Sequence, residues 1–329
     1  MADNILIRVP NWIGDAVIAT GFIDVCRQKH PESRLAVMAH QRVATLFEAD
    51  PSVDEILSFG NDDGVGGLVY SVRQREFIRA YIMPLSLSSA LICWLAGIRD
   101  RVGYASEFRR PLLTKAVPYS RTGFRSVHLL KGYLRLLGDD IPAMPPRLFL
   151  TSAEKDGAIE LLARAGINPH DAVGFGPGAT YGPAKMWPKR NWVELGRSLA
   201  GVGKRILIFG SPSEQGLCRD IALGIGERTL NLAGTTSLRE SAALLSQLPQ
   251  FVCNDTGVMH LAAAVGSRVT AIFCSTNPLW TGPWGKSHQV LKANVPCSPC
   301  YRRECRFGHY HCLKGITAEN VLERALRPA

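Results

Sequence analysis

Short apolar, β-branched runs alternate with helical patterns along the chain. In the first half, the runs fall at residues 5–9, 34–39, 55–59 and 80–83, with helical segments between them. Strands that alternate with helices are typical of parallel βαβ units. The pattern therefore predicts a Rossmann-like α/β domain at the start of the chain.

The same alternation restarts in the second half, after a helix that the capping box of Thr151 and Glu154 is expected to open. Its apolar runs fall at residues 172–178, 205–210, 251–254 and 269–274. Asn168 precedes Pro169, which prevents a helix from continuing, so we place the hinge there. We predict an N-terminal domain at residues 1–168 and a second Rossmann-like domain from residue 169, with the active site in a cleft between them.

The turn after the first strand carries the first candidate for chemistry. Asn11, Trp12 and Gly14 lead into Asp15 at the start of a helix, where open α/β sheets bind ligands. Three glycines would let a pyrophosphate approach this turn, but Trp12 stands there instead, which argues against a nicotinamide enzyme. A Walker lysine motif is also absent. Asp15 fits a catalytic acid or base, or a simple helix cap.

The second half contains a better nucleotide site. Asp255, Thr256 and Gly257 run from a buried strand into a helix, whose free N–H groups favour an anion. The alternative is that Asp255 or Thr256 caps the helix and His260 belongs to the core.

Two further residues of the second half follow strands. Lys185, in a loop rich in glycine and proline, could reach a phosphate or could be an ordinary surface lysine. Glu214 could accept hydrogen bonds from ribose hydroxyls or stabilise a helix N-terminus.

Charge changes this picture, because the net charge of +10 is concentrated. Residues 73–131 hold eleven lysines and arginines against three acids, which indicates an anionic membrane or substrate as partner. Nucleic acid is disfavoured, since no helix-turn-helix, zinc-finger or RNP pattern accompanies the charge. The uncharged run at residues 80–98 contains Pro84 and three serines, so we expect a strand, a turn and a buried helix rather than a membrane span. The chain start lacks a basic region and is not expected to be a secretory signal.

Together these motifs resemble the ADP-heptose lipopolysaccharide heptosyltransferases, glycosyltransferase family 9, and within it the heptosyltransferase II branch. The likeness covers nearly the whole chain in the family's order. It is carried by four motifs: Asn11-Trp12-Ile13-Gly14-Asp15, Gly176-Pro177-Gly178-Ala179-Thr180 with Ala184-Lys185-Met186-Trp187-Pro188, Asp255-Thr256-Gly257 with His260, and Cys297-Ser298-Pro299-Cys300.

The resemblance implies a GT-B fold, in which the parallel sheets of two Rossmann-like domains face each other across a cleft. The first domain would bind the acceptor, residues 169–312 would bind ADP-heptose, and residues 313–329 would form a helix that returns to the first domain. The reaction implied is transfer of L-glycero-D-manno-heptose, with inversion, to the first heptose of a heptosyl-Kdo2-lipid A acceptor. Sister enzymes that add the first or third heptose, or modify a protein, are alternatives, as is a noncatalytic binding protein on the same scaffold.

The resemblance also implies residue roles. Asp15 matches the general base. The donor-site residues implied are Thr180, Lys185, Glu214, Asp255, Thr256, Gly257 and His260. Acceptor-binding candidates are Asn11, Trp12, Arg109, Arg110 and Arg125, the arginines being chosen from the basic surplus. No cofactor is expected, and the missing D-x-D motif predicts transfer without a metal. The location implied is the cytoplasmic face of the inner membrane of a Gram-negative bacterium, with the enzyme bound peripherally.

A cluster of four cysteines near the end allows a different interpretation. Cys297, Cys300, Cys305 and Cys312 could supply four thiolates to zinc or to an iron-sulfur cluster. Their spacing is unlike that of common zinc ribbons, and the resemblance explains the segment as a conformational loop before the last helix. We therefore predict no metal here, and reduced thiols rather than disulfides.

Overall fold

The computed structural model describes residues 3–327. Their contacts divide the chain into two compact units, one up to Phe149 and one from Leu150 onward. Each unit is built on a six-stranded parallel sheet.

The first unit has the strand order β3-β2-β1-β4-β5-β6. Its strands are β1 (Asn4–Arg8), β2 (Arg34–His40), β3 (Glu55–Phe59), β4 (Arg79–Ile82), β5 (Asp100–Tyr104) and β6 (Lys115–Val117). Its helices are α1 (Ile13–Lys29), α2 (Gln41–Ala44), α3 (Val65–Arg73), α4 (Leu87–Leu95), α5 (Arg121–Arg125) and α6 (Leu129–Leu134). Strand β1 lies inside the sheet, where Ile7 pairs with Val37 of β2 and with Tyr81 of β4. Because helices cover parallel sheets on both faces, the central residues of these inner strands are apolar and buried.

The second unit has the order β12-β11-β10-β7-β8-β9. Its strands are β7 (Ala172–Gly176), β8 (Arg205–Ile208), β9 (Thr229–Asn231), β10 (Gln250–Asn254), β11 (Arg268–Phe273) and β12 (Gln289–Lys292). Its helices are α7 (Ser152–Arg164), α8 (Lys189–Gly201), α9 (Gln215–Ile225), α10 (Leu238–Gln247), α11 (Gly257–Ala264), α12 (Pro278–Thr281), α13 (His311–Lys314) and α14 (Ala318–Leu326). Trp192 is fully buried in the core, with its ring 5.1 Å from those of Phe175 and Trp187.

The division between the units differs from the predicted boundary at residue 168. Helix α7, which begins with the predicted capping box, packs against α10 of the second unit. Glu154 of α7 forms an ion pair with Arg239 of α10. Helix α7 already ends at Arg164, and Pro169 starts a short 3-10 helix inside the second unit.

The end of the chain also differs from the prediction that residues 313–329 return to the first domain. Helix α14 packs against α8, β10 and β11 of the second unit. Leu313, Ile316 and Val321 are buried in that unit's core. The apolar face of α14 accounts for this, since it covers the same side of the sheet as α8.

The sequence pattern did not predict four of the strands. β5 begins with the charged pair Asp100 and Arg101, β6 and β9 have three residues each, and alternate residues of β12 are exposed. Three of them lie at sheet edges, where less of a strand is buried and the apolar signal is weak.

The uncharged run at residues 80–98 folds as predicted into strand, turn and helix, namely β4 and α4. Trp94 and Leu95 on α4 stay partly exposed, so the helix is only half-buried. Within residues 3–327, none of the helices combines the length and the apolar character needed to cross a bilayer.

Candidate functional site

In the second unit, Lys185 and Asp255 form a charged pair beyond the carboxyl ends of β7 and β10. The Lys185 ammonium lies 2.5 Å from the Asp255 carboxylate, and both side chains are largely buried. Thr276, after β11, donates its hydroxyl hydrogen bond to the same carboxylate. Two of the residues predicted for donor binding are thus in direct contact.

The amino terminus of α11 adjoins this pair. Thr256 is the N-cap residue, yet its side chain makes no capping hydrogen bond. The first amides of a helix have no intrahelical acceptor, and the dipole there favours an anion. The alternative that Asp255 or Thr256 simply caps the helix is therefore not supported. The Thr256 side chain makes no capping hydrogen bond, and the Asp255 carboxylate is bound by Lys185 and Thr276.

Glu214 stabilises the start of a helical segment, as one of its two sequence interpretations predicted, and its role toward ribose stays a prediction. One carboxylate oxygen accepts hydrogen bonds of 2.8 Å from the backbone N–H and the hydroxyl of Ser211, so it closes a capping box. The other oxygen lies against Gly178, where a Cβ would stand 2.0 Å away. The side chain therefore reaches the loop after β7, which also contains Thr180 and Lys185.

Two other predicted donor-site residues differ in exposure. Thr180 is exposed in the same loop, and His260 is buried on α11. Gly257 is the first residue of α11. Their roles in donor binding stay predictions.

In the first unit, a buried arginine at the end of β1 stabilises the turn that follows the strand. Arg8 donates a 2.8 Å hydrogen bond to the side-chain oxygen of Asn11 and lies 4.7 Å over the ring of Phe59. Burial lowers the pKa of Arg8 to about 10, so its guanidinium remains charged at neutral pH. Asn11 and Trp12 are exposed above it.

Asp15 lies in the first turn of α1 and is half-buried. Its negative charge is close enough to raise the pKa of Tyr133, whose burial is the larger cause of the increase. The predicted base is therefore at a helix N-terminus, as the sequence indicated. Its role in catalysis stays a prediction.

The three arginines predicted to bind the acceptor have different environments. Arg110 is exposed and Arg125 is half-buried. Arg109 is completely buried, and it donates hydrogen bonds to the carbonyl oxygens of Tyr104, Pro84 and Ser86 and to the hydroxyl of Ser89. This corrects the prediction for Arg109: its guanidinium ties together the loops after β4 and β5 and is out of reach of an acceptor.

The nine cysteines are all free thiols. In residues 3–327, no group of three or more His, Cys, Asp or Glu side chains is arranged to hold a metal ion. The thiol of the buried Cys274 donates a hydrogen bond to the carbonyl oxygen of Cys312, and the interaction between the two cysteines lowers the pKa of Cys312 to about 6 and raises that of Cys274. The structure therefore places Cys312 beside a buried thiol at the end of β11.

Three residues around the Lys185–Asp255 pair had no role assigned to them from the sequence: Asn254, Tyr181 and Thr276. Asn254 is fully buried, and its amide donates to the carbonyl oxygen of Pro177 (2.6 Å) and accepts from the backbone N–H of Trp187 (3.1 Å). Tyr181 lies beside Lys185, and Thr276 beside Asp255. The sequence signal for Asn254 was its position as a polar residue at the end of an apolar strand. Thr276 had none, because it is distant in sequence from its partner.

Comparison with known proteins shows which family the chain resembles. The family glycosyltransferase family 9 (heptosyltransferase) matches residues 65–311. Lipopolysaccharide heptosyltransferase 2 of Escherichia coli (strain K12) is 28% identical over 97% of this chain and 96% of its own length. Lipooligosaccharide heptosyltransferase 2 of Haemophilus influenzae is 29% identical over 98% of both chains.

A solved structure extends the likeness to three dimensions. The structure of E. coli ADP-heptose lps heptosyltransferase II superposes with a TM-score of 0.83 at 26% identity, over 98% of this chain and 97% of that one. The predicted fold class, α/β of the GT-B type with two Rossmann-like domains, is thereby confirmed. With a family match over more than half of its length, the chain belongs to glycosyltransferase family 9 (heptosyltransferase).

Proposed function

We propose that this protein is a heptosyltransferase II, which transfers heptose from ADP-heptose to the first heptose of the lipopolysaccharide inner core. The observation that carries the proposal is the identity with heptosyltransferase 2 relatives over nearly the full length of both chains. The acceptor would be of the heptosyl-Kdo2-lipid A type. The remaining alternatives are a sister enzyme that acts on another acceptor and a noncatalytic binding protein.

The donor would bind in the second unit. The diphosphate would lie at the amino terminus of α11, where the amides near Thr256 and Gly257 and the ammonium of Lys185 offset its charge. The carboxylate oxygen of Glu214 that lies against Gly178 would accept hydrogen bonds from the ribose hydroxyls. These groups would offset part of the charge of a departing ADP, and we propose that the reaction needs neither a metal nor a cofactor.

Asp15 would act as the general base. The acceptor hydroxyl forms its new bond to the anomeric carbon while the bond from that carbon to the diphosphate breaks, and ADP leaves with the electron pair. The hydroxyl proton passes to the Asp15 carboxylate. A single displacement of this kind inverts the anomeric configuration. The helix N-terminus favours the ionised form of Asp15, so the proton would move late, when the acceptor oxygen is already bonding.

The acceptor would reach the first unit from an anionic membrane surface. Several cations of residues 73–131 are used inside the fold: Arg75 pairs with Glu55, Arg79 with Asp100, and Arg109 is buried. The exposed ones include Arg99, Arg110, Lys115, Arg121 and Lys131. These are the candidates for peripheral contact with anionic lipid and with phosphates of the acceptor.

The test is heptose transfer from ADP-heptose to acceptors that carry zero, one or two heptoses. We expect turnover with the one-heptose acceptor, and Asp15→Ala should lower kcat by about a hundredfold to ten-thousandfold because the base is lost. Glu32→Gln, an exposed acid just after α1, is the matched control and should leave kcat unchanged.

The outcomes separate the alternatives. Turnover only on the acceptor without heptose would make the protein a sister enzyme, and no turnover on any acceptor would favour the noncatalytic alternative. Full activity of Asp15→Ala would show that this residue is only a helix-terminal acid.

A further inference from the structure

The cysteine-rich segment, residues 297–312, connects two sides of the proposed donor site. Tyr301 donates its backbone N–H to the carbonyl oxygen of Ser275 (2.6 Å), next to Thr276. Its own carbonyl oxygen accepts a 2.7 Å hydrogen bond from the hydroxyl of Tyr181. The segment therefore links the end of β11 to the lysine loop, which we define as residues 177–185.

Arg303 is fixed against this loop by its backbone. Its carbonyl oxygen accepts a 2.9 Å hydrogen bond from the backbone N–H of Ala184. Gly182, with φ of 145°, lets the two chains approach, since a Cβ there would lie 2.7 Å from the same oxygen. The position of Arg303 is thus set by the residues just before Lys185.

The side chains of Arg303 and Lys185 share one aromatic ring. The Lys185 ammonium lies 4.9 Å from the centroid of Tyr181, and the Arg303 guanidinium lies 5.6 Å from it. A tyrosine ring attracts both cations and holds them close together despite their like charge. Lys185 is largely buried, whereas Arg303 is exposed to an incoming ligand.

Charge balance indicates a use for this second cation. Lys185 is already paired with Asp255 at 2.5 Å, so together they contribute no net charge. The diphosphate of a nucleoside diphosphate sugar carries about two negative charges, which helix amides alone offset only in part. An arginine can also bind two phosphate oxygens at once.

We propose that Arg303 is a second cation of the donor site, which binds the diphosphate of ADP-heptose together with Lys185. The cysteine-rich segment then serves to hold that arginine beside the lysine loop. This inference rests on the proposed function, because it assumes an ADP-sugar as the donor.

The test compares Arg303→Gln with wild type in the full-length protein. We expect the Kd for ADP and the KM for ADP-heptose to rise by about tenfold to a hundredfold, as for loss of a charge-assisted phosphate contact. AMP lacks the second phosphate, so its Kd should change less than that of ADP. Arg303→Lys should restore part of the affinity.

Arg302→Gln provides the matched control. Arg302 is the neighbouring exposed arginine, but it lines a separate cavity with Cys297, Pro299 and Cys300. The Arg302→Gln substitution removes the same charge from the same segment. Because Arg302 lines that separate cavity, the substitution should leave ADP affinity unchanged.

Two results would overturn the inference: wild-type ADP affinity in Arg303→Gln, or equal weakening of ADP and AMP, which would indicate a structural role only. Absence of heptose transfer by the wild type would instead contradict the proposed function. The two failures are thereby distinguished.

Discussion

At the residue scale, the proposed donor site depends on close approaches that only small side chains permit. Gly178 is the clearest case, because the carboxylate of Glu214 occupies the space where a Cβ would stand. Gly182 has the same function toward Arg303. The glycines of the lysine loop therefore let the carboxylate of Glu214 and the backbone of Arg303 approach the loop closely.

Gly178→Ala should displace Glu214. We expect the free energy of unfolding to fall by about 1–3 kcal/mol, as for other overpacked sites, and the KM for ADP-heptose to rise. Urea unfolding and initial-rate kinetics measure the two effects. Gly216→Ala is the control: it lies in α9 with nothing within 4 Å of the new Cβ, so it should be neutral or stabilise by about 0.5–1 kcal/mol. Unchanged donor KM in Gly178→Ala would contradict the role given to Glu214.

At the scale of elements, the sequence identified most inner strands, the edge strand β3 and the helix starts, but it missed β5, the other three edge strands and the unit boundary. Strands such as β1 and β10 are buried on both faces, so their apolar composition marks them. The local pattern did not reveal that α7 and α14 belong to the second unit, because helix packing partners depend on distant residues such as Arg239. Site residues showed the same limit, since Asp255 stood in a recognisable motif while its partner Thr276 did not.

The attachment of α7 should be sensitive to acid. The Arg239 guanidinium, helped by Thr151, lowers the pKa of Glu154 to about 2 from an ordinary value of 4.5. A carboxyl with a lowered folded-state pKa stabilises the fold above its ordinary pKa, and that stabilisation is lost as the pH falls toward 2. Glu154→Gln, which preserves the capping pattern, should therefore lower the Tm at pH 7 and have a smaller effect at pH 3.

Glu240→Gln is the matched control for that experiment. Glu240 closes the capping box of α10, and hydrogen bonds from Ser237 lower its pKa. Its substitution should change the Tm less at pH 7 than that of Glu154. If Glu154→Gln lowered the Tm by the same amount at pH 7 and at pH 3, the ion pair with Arg239 would not be the cause of the stabilisation.

At the scale of the whole molecule, the concentration of positive charge in the first unit is the main long-range feature. The buried and paired arginines remove some cations from the surplus at residues 73–131, but exposed ones remain. Sequence alone gave the net charge of this region. It could not separate the inward arginines from the outward ones, because that depends on which carbonyls and carboxylates the fold brings near them.

Binding to anionic vesicles tests this surface. Arg99, Lys115 and Arg121 are exposed, and their joint replacement by glutamine should weaken binding by about a hundredfold, at roughly 1 kcal/mol per cation. Co-sedimentation with vesicles that contain phosphatidylserine measures it, and added salt should weaken wild-type binding. The same replacement of Lys155, Arg190 and Lys286 in the second unit is the charge-matched control. Equal losses in both triple variants would contradict a membrane role specific to the first unit.

The placement of the buried tryptophans gives the core of the second unit an optical signal of its own. Trp187 and Trp192 are buried in the second unit, whereas Trp12 and Trp94 of the first unit are about half exposed. The short-wavelength part of the intrinsic fluorescence therefore comes from the second unit's core, and its loss marks unfolding of that unit. Trp12 emits from the turn that leads into Asp15, so a ligand that reaches this turn changes the long-wavelength part without a label having been added.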